Sequence, residues 1–272
     1  MKEQTKHLKL ILPALFSTIV SANATSTPTA PALTMGPASG WFATIQGGAL
    51  WTNSSDSMTV SNGSPYPPPL NVDHYSVNGN QTSGVIAVLG GYQWRHQGEW
   101  IPAYSLALRY QHFFNASLNG VVTQYSLPQF ANYNYTWNVD SNLISLYSKI
   151  DLFQYGRFTP FFDVGVGAAI NHTSDFNETA LSGVTPRISP AFQSNSQTSF
   201  TYNLGLGVDF AVTSQWSVSV GYDYQYFGAI KSGPGLTTWS ADRLSLGNLQ
   251  GNMVTAGLTY YFDDMSPKYQ GK

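Results

Sequence analysis

Six charged side chains stand inside stretches of alternating polarity, and all six fall on the polar side: Arg109, Lys149, Asp151, Asp163, Asp209 and Asp223. Four acids and two bases on one inner surface could line a small cation-preferring pore, since rings of Asp select for cations. The same groups could instead pair with one another and block the passage, because buried charges need partners. A second group with chemical potential is His172-Thr173-Ser174, with Glu178 close behind. Residues two apart on a strand share a face, so His172 could serve as base to the Ser174 hydroxyl, with an acid to orient it. In so serine-rich a chain the same residues serve equally as plain polar side chains. His74, His96 and His112 are scattered, and no carboxylate–histidine group has metal-ligand spacing. The chain has no cysteine, which removes thiolate chemistry and disulfides. Gly165-Val166-Gly167 and Gly205-Leu206-Gly207 follow strand alternation rather than a phosphate-binding loop. These residues imply no catalytic group, no metal and no cofactor.

The elements that hold the six charges are strands. Phe200, Tyr202, Leu204, Leu206, Val208 and Phe210 occupy one face of a period-two stretch, with Thr201, Asn203, Gly205, Gly207 and Asp209 on the other. Trp216 to Tyr226 repeats the rule, with Val218, Val220, Tyr222 and Tyr224 against Ser217, Ser219, Gly221, Asp223 and Gln225. Eight such segments are predicted: Trp41–Trp51, Gly84–Trp94, Ala103–Phe113, Asn142–Leu152, Phe158–Asn171, Ser199–Phe210, Trp216–Tyr226 and Met253–Phe262. Each has the length of about ten residues that a tilted strand needs to cross a bilayer. The apolar face carries no Lys, Arg, Asp or Glu in any of them. Aromatics gather at the segment ends, Trp94, Tyr104, Phe158, Phe210, Trp216, Tyr260 and Phe262 at one and Phe200, Tyr202, Tyr224 and Tyr226 at the other, as at the two interfaces of a membrane.

The links alternate in length. Arg95–Pro102, Phe153–Arg157 and Ala211–Gln215 are short, whereas Thr52–Ser83, Phe114–Ser141, His172–Thr198 and Phe227–Asn252 are long and rich in Asn, Ser, Thr, Gly, Pro and Tyr. That rhythm predicts an all-β, antiparallel up-and-down barrel with short periplasmic turns and long extracellular loops, apolar face to lipid and polar face to the lumen. Within the loops, Ser64 to Leu70, with Pro65, Pro67, Pro68 and Pro69, is expected to be stiff and extended. Asn132 to Trp137 alternates polar and aromatic and would extend the fourth strand beyond the membrane.

Composition agrees. Of the 272 residues only 10% are charged, while 14% are aromatic, and the net charge is -2. A nucleic-acid partner would need excess Lys and Arg, and a helical membrane protein would need apolar runs of about 18 residues or more. Lys2, Lys6 and Lys9, the apolar stretch Leu8 to Val20 and the small-x-small triplet Ala22-Asn23-Ala24 predict a signal peptide over 1–24, cleaved on export. Residues 25–39 read as a flexible periplasmic leader, 40–262 as the barrel and 263–272 as a short periplasmic tail.

Thr255-Ala256-Gly257-Leu258-Thr259-Tyr260-Tyr261-Phe262 fits polar-x-Gly-x-x-hydrophobic-x-hydrophobic, with Thr255, Gly257, Tyr260 and Phe262 at the fixed positions. It resembles the C-terminal β-signal read by the barrel-assembly machinery. With the signal peptide and the loop rhythm, the chain resembles the eight-stranded outer-membrane barrels: the OmpA transmembrane domain and the opacity-type surface antigens and porins of Gram-negative bacteria. The tail after Phe262 departs from family members that end on the aromatic residue, and it is too short for a wall-binding domain. The resemblance implies residence in the cell outer membrane. It implies as partners the outer-membrane lipid, lipopolysaccharide and the assembly machinery. The expected role is structural or surface-exposed, with adhesin or host-contact function through loops that bind a host or matrix ligand. A narrow porin-like channel is the alternative. His172 and Ser174 are also similar to the His-x-Ser pattern of outer-membrane lipid A deacylases, but Asp175 stands where those carry Asn, and the chain is expected not to be an enzyme.

Overall fold

The computed structural model describes residues 39–53, 57–96, 100–186, 191–236 and 242–262. The predicted signal peptide, residues 25–38 of the leader and the tail 263–272 lie outside the described residues. Eight long strands form the ring, numbered here in chain order: β1 Gly40–Asn53, β2 Asn80–Arg95, β3 Trp100–Thr123, β4 Ala131–Phe153, β5 Phe158–Ala180, β6 Asn195–Ala211, β7 Trp216–Lys231 and β8 Ser245–Tyr261. Each pairs antiparallel with its neighbour in sequence, and β8 pairs with β1 to close the sheet. Closure removes the free edges that lipid could not hydrogen-bond.

The register sets the shape. Cross-strand partners run from Phe42 through Gly91, Ala107, Tyr147, Gly165, Asn203, Gln225 and Gly251, and return to β1 at Thr52, ten residues above the start. Eight strands 4.8 Å apart with that stagger tilt by roughly 40°. Ten residues of such a strand then rise roughly 25 Å, the height of a transmembrane apolar band.

The outward face is that band. Ile45, Ile86, Val88, Leu108, Ile144, Leu146, Val166, Leu204, Leu206 and Val220 are all exposed. At its lower end the rings touch in arcs: Trp41–Tyr92 at 5.3 Å, Tyr92–Trp94 at 5.0 Å, Trp94–Tyr104 at 5.2 Å, Trp216–Tyr260 at 4.8 Å and Tyr260–Phe262 at 5.2 Å. At the upper end Tyr202 stacks on Tyr226 at 5.0 Å and lies 6.1 Å from Tyr224.

The structure departs from the sequence expectation above the band. The strands run well past the ten residues predicted. β3 reaches Thr123 and β4 starts at Ala131, so most of the second long link is a continued hairpin. Its turn holds two short 3-10 segments, Gln124–Ser126 and Pro128–Phe130. The reason is alternation across a bulge. A register shift between Phe113 and Ala116 resets the pleat so that Ala116, Leu118 and Val122 face inward, opposite Tyr133, Tyr135, Trp137 and Val139, all buried. The first long link likewise holds a hairpin, Met58–Ser61 against Val72–Tyr75, which docks on the upper edge of β3 through His74 and Tyr75. Ala191–Phe192 pairs with Gly235–Leu236 above the mouth. Ser64 to Leu70 is also corrected. The Leu70 amide donates to the Pro67 carbonyl at 3.0 Å, closing a turn where an extended run was expected.

Candidate functional site

The six charges predicted for the lumen lie on β3 to β7, and the structure sorts them into two tiers. In the lower tier the Lys149 ammonium on β4 binds the Asp209 carboxylate on β6, reaching over β5, and lies 3.7 Å from Asp151 Oδ1. It also sits 4.9 Å from the centre of the Phe161 ring. Gln93 Nε2 lies within 3.5 Å of Asp151 Oδ2. Beside this tier is a cavity of about 20 Å³ lined by Lys149, Asp209, Phe42, Thr44, Thr259 and Tyr261, room for about one water. Arg95, 6.0 Å from the Tyr261 ring, guards the periplasmic end. Arg95 falls in a short link by sequence, yet on β2 it continues the inward alternation of Gly91 and Gln93.

In the upper tier Arg109 does not meet an acid directly. Its Nη2 donates to Asn203 Oδ1 at 2.5 Å, and its guanidinium lies over Tyr147 at 4.8 Å. The Asn203 amide nitrogen then donates to Asp163 Oδ1 at 2.8 Å and to Asp223 Oδ1 at 3.0 Å. Asn203 is therefore the hub, a residue with no charge to draw attention in the sequence. Gly205 makes the convergence possible: a Cβ there would lie 2.5 Å from Asp223 Oδ1 and 2.6 Å from Asp163 Oδ2. Arg109, Asp163 and Asp223 are all buried. Such a network holds only while complete, because an orphaned buried charge costs about 3–5 kcal/mol.

Above these tiers apolar side chains enter the interior, a correction to the expected polar lumen. Leu50, Val85, Phe113, Leu143, Phe227 and Met253 pack there beside buried Ser141, Asn171, Thr201 and Gln225, with Phe113 and Phe227 edge to face at 4.8 Å. The filling continues into the extracellular extension as an aromatic core. Tyr75 packs edge-on against Tyr135 at 5.4 Å, Phe176 stacks on Tyr135 at 6.0 Å, and Phe192 closes on Phe176 at 4.9 Å. The buried hydroxyls find partners: Tyr75 donates to Glu178 Oε1 at 2.8 Å and Tyr135 to the Ser76 carbonyl at 2.8 Å. Burial pushes the Tyr135 phenol well above its ordinary pKa.

His172 and Ser174 share the outward face of β5, but each bonds elsewhere. His172 Nδ1 is 2.9 Å from Ser196 Oγ, and Ser174 donates to Asp175 at 3.1 Å. Glu178 faces the interior, bonded to Tyr75. Among the described residues no group of His, Asp and Glu is placed to hold a metal ion. The four fixed positions of the C-terminal motif split by face. Thr255 and Gly257 point inward, and a Cβ on Gly257 would come within 2.5 Å of Ser219 Oγ. Tyr260 and Phe262 point outward into the lower girdle, and the Phe262 amide donates to the Trp41 carbonyl at 3.0 Å at the β8–β1 closure.

Among the described residues no helix is long and apolar enough to cross a membrane. A closed ring with a charge-free apolar band, two aromatic ends and a packed interior is a transmembrane β-barrel, inverted relative to a soluble one. The sequence matches the outer membrane protein beta-barrel domain over residues 13–262, and the chain belongs to that family of bacterial outer-membrane proteins. No curated protein matches it. Among solved structures it is similar to Neisserial surface protein A, at 15% identity over 83% of this chain and 99% of that one, TM-score 0.42. It is also similar to outer membrane protein OprG of Pseudomonas aeruginosa, at 14% identity over 84% and 98%, TM-score 0.45. A third similar structure is Ail, the attachment invasion locus protein of Yersinia pestis, solved with the heparin analogue sucrose octasulfate, at 11% identity over 81% and 99%, TM-score 0.34.

Proposed function

We propose that this barrel is a non-conducting support that holds a rigid recognition surface outside the cell, in an adhesin or host-contact role and without catalysis. The observation that carries the reading is the extracellular core. Strands that needed only to cross the membrane would stop at the band. Here they continue and bury Tyr75, Tyr135 and Trp137, which fixes the first hairpin in place. At its tip Tyr66 is 59% exposed, on a loop braced by Asn62 Nδ2 donating to the Leu70 carbonyl at 3.2 Å and to Asp73 Oδ1 at 3.0 Å. Exposed aromatic and proline side chains on a braced loop bind with little ordering cost.

The packed lumen supports the closed reading over the narrow channel, since buried Phe113 and Phe227 meet edge to face in the interior. His172 bonded to Ser196, with Glu178 turned inward, supports the non-enzymatic reading. Lipopolysaccharide, the assembly machinery and a host or matrix ligand at the tip are the partners this role entails. Replacing residues 64–70 with a Gly/Ser linker should abolish attachment of expressing cells to host cells or matrix while leaving the barrel assembled. Unchanged attachment would contradict the role.

A further inference from the structure

We propose that the outer wall spanning β1 to β4 carries a seat for one acyl chain of a periplasmic-leaflet phospholipid. The wall there is indented by a groove of about 530 Å³, lined by Trp41, Gly90, Tyr92, Leu106, Leu108 and Leu146. Its cause is a missing side chain. Gly90 faces outward one rung above the lower girdle, and a Cβ there would meet nothing within 4 Å. Its partner on β1 is the small Ala43, whereas its partner on β3 is Leu108, followed on β4 by Leu146. One rung lower stand Trp41, Tyr92 and Leu106. Trp41 at 62% and Leu108 at 63% exposure flank the gap that Gly90 leaves.

Depth selects the occupant. The lower end opens in the aromatic girdle at Trp94, on the short-turn side. The upper end is Leu146, six residues along β4 from Leu152, roughly 15 Å at the strand tilt and rise. That is half of a hydrocarbon core of about 30 Å, the depth of one leaflet. An open apolar groove running from the lower girdle to that depth matches an acyl chain. A second copy of the protein would have to bury about 800 Å² of wall, and a single groove does not supply it. Inside lipid no hydrophobic gain drives the fit. Holding comes from contact with the lining side chains, where a void would forfeit dispersion. The Tyr92 and Trp94 polar tips lie at the depth of the headgroup.

Native mass spectrometry of the full chain, extracted from outer membranes in mild detergent, tests the seat. Wild type should keep one phospholipid per barrel under activation that strips the rest. Gly90→Leu should lower that retained fraction about tenfold. Ala256→Leu, which adds comparable bulk to the outward face of β8, should leave it unchanged. A wild type that retains no phospholipid overturns the proposal without any variant. So does equal retention in Gly90→Leu shown to be assembled by its heat-dependent gel shift, or equal loss in both variants. High-yield disulfide dimers from Ala43→Cys in membranes would assign the groove to a second copy and overturn it as well.

Discussion

Asn203 shows what a single side chain contributes. Its carbonyl takes Arg109 and its amide serves Asp163 and Asp223, so three charges on β3, β5 and β7 depend on one neutral residue. Asn203→Leu should destabilise the barrel in urea by about 3–5 kcal/mol, more than the exposed-face change Asn177→Ala, which should stay within about 0.5 kcal/mol. Equal effects would mean that the network carries no stability. The charges themselves were legible in the sequence, because a Lys or Asp inside an alternating strand has only one tolerable side. The hub was not, because Asn on an inward face looks like any other lumen polar group until the three-dimensional convergence is known. Arg95 was missed for a related reason: it falls where a turn was expected, although β2 keeps its alternation through that position.

At the scale of elements, the outward band and the extracellular extension obey different rules. Val220→Arg places a charge near the middle of the band and should cost about 2–4 kcal/mol, enough to block assembly, whereas Asn177→Arg on the outward side of the extension should cost about 0–1 kcal/mol. The heat-dependent gel shift of outer-membrane fractions reports both, and equal tolerance would contradict the placement of the band. Trp137→Ala should loosen the extension by about 3–5 kcal/mol. The expected signature is new protease cleavage between β3 and β4 while the membrane part keeps its gel shift; loss of both together would mean that the extension and barrel are one cooperative unit. The eight crossings were legible because lipid allows only one pattern on the outward face. The extension of β4 was legible too, in the alternation of Asn132 to Trp137 that runs unbroken into the band. The full length of β3 and β5 was not, because bulges such as the one after Phe113 shift the apolar positions by one, so a strict period of two ends there although the strand does not.

For the whole molecule, the inversion of a soluble barrel is incomplete. In the lower lumen the charged and polar groups share the space with buried Phe42, Leu89, Tyr147, Phe161 and Tyr261. The upper lumen and the extension pack Leu, Phe, Tyr and Trp as a soluble core would. Gly84 to Trp94, apolar on both faces, already carried that signal: Val85, Ala87 and Leu89 belong to the interior. The lumen thus holds paired charges below and an aromatic core above, with a braced tip on top, and the proposed non-conducting role rests on that packing. Planar-bilayer recording on the purified full chain tests this most directly. The account predicts no stable conductance in wild type. Sustained openings of porin size would contradict it.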